Sequence, residues 1–166
     1  MATDTHTEET PAVVPSPPAQ WLMRLANPVM RALLRSPLHM LVSGSLAVLW
    51  VRGHRTGREY AIPVRLHDQN DETFVLTGAT WRLNIGDGAD VEVTHRGRRA
   101  AKHAVTVANP EATAREYLRA IDRYGARRAR GKMGVAVTDP ERLTFEEMAA
   151  AAVRDNQVAI RLTDPE

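Results

Sequence analysis

Cysteine is absent from this chain of 166 residues, and aromatic residues make up only 5% of it. Without cysteine the protein has no disulfide, no zinc site with thiolate ligands and no cysteine nucleophile. The absence fits a reducing compartment, so we expect a cytoplasmic protein. No run reaches the roughly 18 clean apolar residues of a membrane span, because the nearest candidate, Leu38–Val51, is short and is broken by Ser43-Gly44-Ser45.

Lysine and arginine are missing from the first 20 residues, which are rich in proline and threonine. This stretch lacks the basic start and the apolar centre of a signal peptide. We interpret residues 1–20 as a disordered tail and residues 21–166 as one domain. The net charge of the chain is only +2, and the basic stretch Arg123–Lys132 has no recognised nucleic-acid motif. We therefore expect no nucleic-acid partner.

Apolar periodicity predicts an α+β protein, with a small barrel of mostly antiparallel strands and helices packed outside it. We assign an N-terminal helix to residues 21–42, the barrel to 46–108, and further helices and a last strand to 109–163. Asn109-Pro110 predicts a helix start, Gly125 its end, and Thr144–Glu147 a capping box. The segment Ala126–Thr138 between those two helices is interpreted as a mobile loop.

The most informative segment is Gly53–Val64, which joins the apolar run Leu46–Val51 to a strand of alternating polarity. Its turn contains two glycines, two arginines and a threonine: Gly53, Arg55, Thr56, Gly57 and Arg58. Glycine lets backbone N–H groups point at an anion, and the arginine fork matches phosphate geometry. The turn is therefore predicted to bind a phosphate.

A second donor-rich segment, Thr77–Gly86, follows the third predicted barrel strand. We predict a short helix with Thr80 as its N-cap, since helix N-termini attract anions. Arg82 and Asn84 add side-chain donors, and Trp81 supplies either a flat surface for a ring or bulk for the core. A hairpin could bring both segments to one cleft.

At these residues the chain resembles a known family. GHRTGREYAIPV resembles a signature of the deazaflavin-dependent nitroreductases, and WRLNI and ADVEVTHRGRR are similar to that family's next two segments. The resemblance spans roughly Asn27 to Val107. It implies a split β-barrel related to flavin reductases and pyridoxamine-phosphate oxidases, with coenzyme F420 as cofactor and FMN as the alternative. It further implies hydride transfer to a small-molecule substrate such as a quinone, a nitro compound or an activated alkene.

The same resemblance implies a set of cofactor-binding residues. Pro63 matches the position where the second strand passes the cofactor, and Asn84 would donate to the deazaflavin or its tail. Tyr60 and His54 stand where many relatives have arginines. The implied set is Arg55, Thr56, Gly57, Arg58, Tyr60, Pro63, Thr80, Trp81, Arg82 and Asn84.

No catalytic side chain is required, because the cofactor carries the hydride chemistry. Tyr124 is the best candidate for a proton donor, whereas Tyr117 is assigned to the core. The histidines lack metal-ligand spacing, although His95 and His103 could face each other across the hairpin at Gly97. We therefore expect no metal site.

Two other functions stay open. The barrel could bind or carry a flavin, a deazaflavin or haem without turnover. Alternatively, the basic and apolar N-terminal helix could dock on a lipid surface and make the protein peripheral to a membrane. A homodimer also stays open, because barrels of the resembled type are often dimers.

Overall fold

The computed structural model describes residues 10–16 and 44–165. The helix predicted over residues 21–42, and with it the predicted lipid contact, lies outside these ranges. Within them, no helix combines the length and the apolar character needed to cross a membrane.

Nine strands are present in the described ranges, and every pairing between them is antiparallel. Seven of them form one strongly curled half-barrel sheet in the order β3-β2-β6-β7-β9-β5-β4, and β1 pairs with β8. This confirms the predicted α+β fold with a split barrel. The strands are β1 (Val13–Pro15), β2 (Leu46–Arg52), β3 (Glu59–Arg65), β4 (His67–Gln69), β5 (Glu72–Thr77), β6 (Ala89–His95), β7 (Arg98–Val107), β8 (Val135–Val137) and β9 (Val158–Thr163).

Three α-helices lie in the described part of the chain: α1 (Pro110–Tyr124), α2 (Ala126–Met133) and α3 (Phe145–Arg154). As predicted, the Asn109 side chain caps α1 by accepting from the N–H groups of its first turn, and Gly125 ends that helix with φ 85°. Thr144 caps α3 by accepting from the Glu147 N–H at 3.1 Å. The Glu147 carboxylate does not complete the box, because it accepts from the Ala12 N–H at 3.0 Å.

Two sequence-based interpretations are wrong. The predicted disordered tail contains β1, whose Val13 is fully buried because it packs into the helix-side core. The predicted loop Ala126–Thr138 is α2 followed by β8. Ala129 and Met133 lie four residues apart on one face of α2 and are both buried. Although cations dominate its sequence, this stretch therefore forms a helix with a narrow apolar stripe.

Two apolar cores lie on opposite faces of the sheet. Inside the half-barrel, Leu49, Ile62 and Ile160 belong to one buried cluster. On the other face, Tyr117 of α1 and Met148 of α3 belong to the cluster that joins the helices to the sheet. Burial of both sheet faces is the main stabilisation of this fold.

The opening of the half-barrel determines where a ligand can bind. Strands β3 and β4 are the two edges of the sheet, and only Leu66 separates them in the chain. Strand β4 pairs with β5 only along Glu72–Phe74. Among the described residues, the segment Val75–Thr77 therefore has no strand on that side, and it faces the edge of β3 that pairs with no described strand.

Candidate functional site

A cleft of about 790 Å³ lies at this opening. Its walls are the second half of β3, the end of β5 with the residues that follow it, and the C-terminal part of α2 with Gly134. The volume lies within the range of roughly 300–1,000 Å³ of small-molecule sites. The lining residues include Ile62, Pro63, Val64, Arg65, Val75, Leu76, Thr77, Gly78, Trp81, Arg130, Lys132, Met133, Asp155 and Gln157.

Two of the predicted cofactor residues, Pro63 and Trp81, line this cleft from different elements. Pro63 lies on β3, and Trp81 lies in a 3-10 helix over Thr80–Asn84. Together with Ile62, Val64 and Val75 they give the cleft an apolar inner wall. Such a wall suits a flat ring system more than a small ion.

The predicted phosphate turn is outside the cleft, at the far end of β3. Its glycine N–H groups are used within the turn: Gly53 donates to the Arg58 carbonyl at 2.8 Å, and Gly57 to the Gly53 carbonyl at 2.8 Å. The Thr56 hydroxyl accepts from the Arg58 N–H at 3.3 Å. The expectation that glycine amides there face an anion is therefore wrong. The side chains of Arg55 and Arg58 are exposed, so they remain the candidate anion-binding groups of the turn.

Asn84 connects the two predicted segments. Its Oδ1 accepts from the His54 N–H at 3.3 Å and lies 2.9 Å from His54 Nδ1. Its Nδ2 donates to the Trp81 carbonyl at 3.1 Å. The structure thus brings the segments together as predicted, but with Asn84 as the brace between them and His54 as its partner.

The remaining predicted residues lie around this junction. Thr80 does not cap the 3-10 helix, because Ala79 occupies the N-cap position and no side chain accepts a capping bond. Arg82 extends to the Asn156 amide oxygen, at 3.4 Å. Tyr60 is 40% exposed, and the Arg58 guanidinium lies 5.8 Å from its ring centroid. None of these three side chains lines the cleft.

Sequence reasoning missed the cations of the cleft itself, Arg65, Arg130 and Lys132. Desolvation and the like charges of Arg65 and Arg128 lower the pKa of Lys132. An anionic ligand beside Lys132 would offset the repulsion from these like charges. The sequence signal for them was the apolar pair Ala129 and Met133, spaced four residues apart, whose burial fixes the orientation of α2 in the wall.

Tyr124, the predicted proton donor, packs away from the cleft. Its ring makes an edge contact with His67 at a centroid distance of 5.7 Å, and Lys132 Nζ lies 4.6 Å from the ring centroid. Tyr117 is fully buried as predicted, and burial raises the pKa of its hydroxyl. Neither tyrosine is among the lining residues of the cleft.

His95 and His103 do not face each other. His95 Nε2 lies 2.6 Å from the Gly44 carbonyl oxygen, whereas His103 Nδ1 lies 2.8 Å from an Asp90 carboxylate oxygen. In the register of β6 and β7, His95 is opposite Arg98, and His103 is opposite Asp90.

Acidification is expected to destabilise the protein through His67, a buried histidine beside the cleft. Burial chiefly, with a smaller contribution from Arg65, lowers the pKa of His67 to about 4, although the Lys132 main chain opposes the shift. Between pH 6.5 and 4, His67 is therefore protonated in the unfolded chain but stays neutral in the folded protein. The contribution of His67 to the free energy of unfolding is at its full value above pH 6.5. It falls by up to about 3 kcal/mol as the pH drops to 4.

Urea unfolding of the wild type and of H67F at pH 7.5 and 4.5 measures this effect. Both proteins share the loss of stability that comes from their carboxylates. The wild type should therefore lose more stability than H67F, and the difference reports the contribution of His67. Equal losses would show that His67 does not carry the acid sensitivity.

No protein-family model matches the chain, and no curated protein is significantly similar to it. A functional assignment therefore depends on the residues and the geometry described above.

Proposed function

We propose that this protein is a deazaflavin-dependent oxidoreductase that transfers hydride from reduced coenzyme F420 to a small organic acceptor. The acceptor would be a quinone, a nitro compound or an activated alkene. The observation that carries the proposal is the arrangement of two segments that resemble one cofactor signature. Asn84 joins them, and Pro63 and Trp81 from the same two segments line one cleft.

The residues present fit a long, anionic cofactor with a flat ring. The apolar wall at Pro63 and Trp81 suits the ring, and the cleft volume suits its size. Between Glu59, beside the turn, and Ile62, at the near end of the cleft, the strand covers about 10 Å. A phosphate-bearing tail that leaves the cleft along β3 would thus reach Arg55 and Arg58.

Each part of the chain has a distinct task in this proposal. Arg55 and Arg58 bind the tail by charge, and Asn84 and His54 hold the turn against the 3-10 helix. Trp81 and Pro63 orient the ring and exclude water from it. The bound cofactor would supply the hydride, while water or a weak acid in solution would supply the proton, since neither Tyr117 nor Tyr124 lines the cleft.

One observation favours a second function. Because the predicted proton donor Tyr124 packs on His67 outside the cleft, the protein could bind a flavin, a deazaflavin or haem and carry it without turnover. Such a carrier would bind the cofactor as tightly as an enzyme does. It would not accelerate oxidation of the reduced form.

Titration of the purified full-length protein with F420 and with FMN tests the proposal directly. We expect saturable F420 binding in the micromolar range or below, followed by oxidation of reduced F420 when menadione or a nitrofuran is added. Binding without oxidation would establish the carrier. Tighter binding of FMN would make the protein a flavin-dependent relative, and no binding of either cofactor would falsify the proposal.

A further inference from the structure

A polar side chain that the resemblance does not include lines the cleft from the residue just before β9. Gln157 is only 6% exposed, yet it lies in the cleft wall. Its main-chain N–H donates to the Ala152 carbonyl at 3.0 Å, which fixes the backbone at that position. A buried glutamine on a ligand cleft needs a partner for each end of its amide.

Within the described part of the chain, only one end of this amide has a partner. The Tyr117 hydroxyl donates to Gln157 Oε1 at 2.8 Å, within the buried core. Tyr117 is fully buried, so the bond is shielded from water and holds the amide in one orientation. Among the described residues, no acceptor is in hydrogen-bonding position for Gln157 Nε2.

Gly78 makes room for this amide. A Cβ added at Gly78 would lie 2.7 Å from Gln157 Nε2 and 3.0 Å from its Cδ. Any other residue there would push the amide out of place. Gly78 follows β5 directly and lines the same cleft. The cradle therefore comes from three separate parts of the chain: α1, the end of β5 and the start of β9.

Gln157 Nε2 is thus a donor without a protein partner on a side chain that is held in one orientation, so a ligand that supplies an acceptor there gains affinity. The cleft wall at Pro63 and Trp81 is apolar, so the part of a ligand that lies against it is apolar as well. The matching group is an oxygen on a flat, mainly apolar ring, which is the chemistry of a ring carbonyl.

We propose that Gln157 is a ligand-binding residue whose Nε2 donates a hydrogen bond to a ring carbonyl oxygen of the molecule in the cleft. Tyr117 is the positioning residue that orients the amide, and Gly78 leaves the space for it. Ring carbonyls occur both in flavin-type cofactors and in quinone acceptors. The inference holds for either source, and it does not require F420 to be the cofactor.

Heteronuclear NMR of the wild-type protein tests the hydrogen bond. The side-chain NH₂ signals of Gln157 are assigned by their disappearance in Q157E. F420, FMN and menadione are then added to separate samples. We expect the Gln157 amide protons to move downfield with at least one of these probes. A shift with menadione alone assigns the bond to the acceptor, and a shift with F420 or FMN assigns it to the cofactor.

Q157E provides a matched affinity test. Glutamate keeps an oxygen for the Tyr117 hydroxyl but removes the donor that faces the ligand. We expect affinity for the probe that moves the amide signals to fall about ten-fold or more at pH 8. The affinity should partly return at a lower pH, where the carboxyl group is protonated and donates again. N156D adds the same charge one residue away, outside the cleft lining, and should bind as the wild type does.

The outcomes separate this inference from the proposed function. If menadione moves the Gln157 signals while F420 and FMN do not bind, the inference stands and the proposed function fails. If F420 binds but no probe moves the signals, the proposed function stands and the inference is overturned. Signals that stay still with all three probes overturn it as well, and so does unchanged affinity of a folded Q157E. The NMR result needs only wild-type protein if that variant fails to fold.

Discussion

The double variant R55Q/R58Q is expected to bind F420 about 100-fold more weakly than the wild type does. The glycine amides of the Gly53–Arg58 turn are used within the turn, so under the proposed function the tail phosphate would depend on these two guanidinium groups. A charge-assisted hydrogen bond contributes about 1.5–3 kcal/mol, which is ten-fold or more for each arginine. Both arginines are exposed, so the effect is largest at low ionic strength.

Fluorescence titration with F420 at 20 and 300 mM salt measures this effect. Wild-type affinity should fall with salt, and the variant's affinity should depend on it much less. R96Q/R98Q is the matched control, because this pair lies beside the β6–β7 turn, near the opposite end of β2. Equal losses in the two double variants would mean that the turn has no specific part in binding.

The second large effect is expected from V13D, which should lower the free energy of unfolding by about 3–5 kcal/mol. Val13 is fully buried in the helix-side core, where a carboxylate would be cut off from water among apolar side chains. The Arg154 guanidinium is close by, but it already donates to the Val13 carbonyl and to Asp155. Strand β1 also supports the cleft, because Ser16 donates to the Gly134 carbonyl at 2.7 Å. Ligand affinity should therefore fall together with stability.

V14D is the control for this change, since Val14 is the next residue along β1 and is only partly buried. Urea unfolding should show a small effect, within about 1 kcal/mol, for V14D. If V13D were as mild as V14D, β1 would not be docked on the core, and the original interpretation of a disordered tail would be right for these residues too.

The sequence predicted the parts of the fold that local rules govern. Asn109-Pro110, Gly125 and Thr144 mark helix ends through bonds to their own neighbours, so their roles are readable without tertiary information. The barrel strands likewise follow from alternation of polarity. Strand β1 and helix α2 were missed because distant residues stabilise them. Val13 is buried by the helices, and Ala129 and Met133 give only a narrow stripe among cations.

The candidate site was predictable to a similar extent. Pro63 and Trp81 line the cleft, and the two segments do meet at Asn84. The contact that joins them uses His54, which stands where many proteins of the resembled family have an arginine. The sequence did not indicate the proposed role of Gln157. That role depends on a tyrosine 40 residues earlier in the chain and on the space that glycine leaves at position 78. Pairings at such a separation leave no local pattern in a single sequence.

The single residue between the two sheet edges has a consequence for how the cleft fills. Because only Leu66 separates Arg65 from His67, the edges cannot part by more than about 7 Å at that point. The cleft is therefore anchored at this junction and can widen only toward the end nearer the Gly53–Arg58 turn. We expect a ligand to enter and leave by that route, with bulky substituents tolerated on its outward end but not on the end beside Arg65.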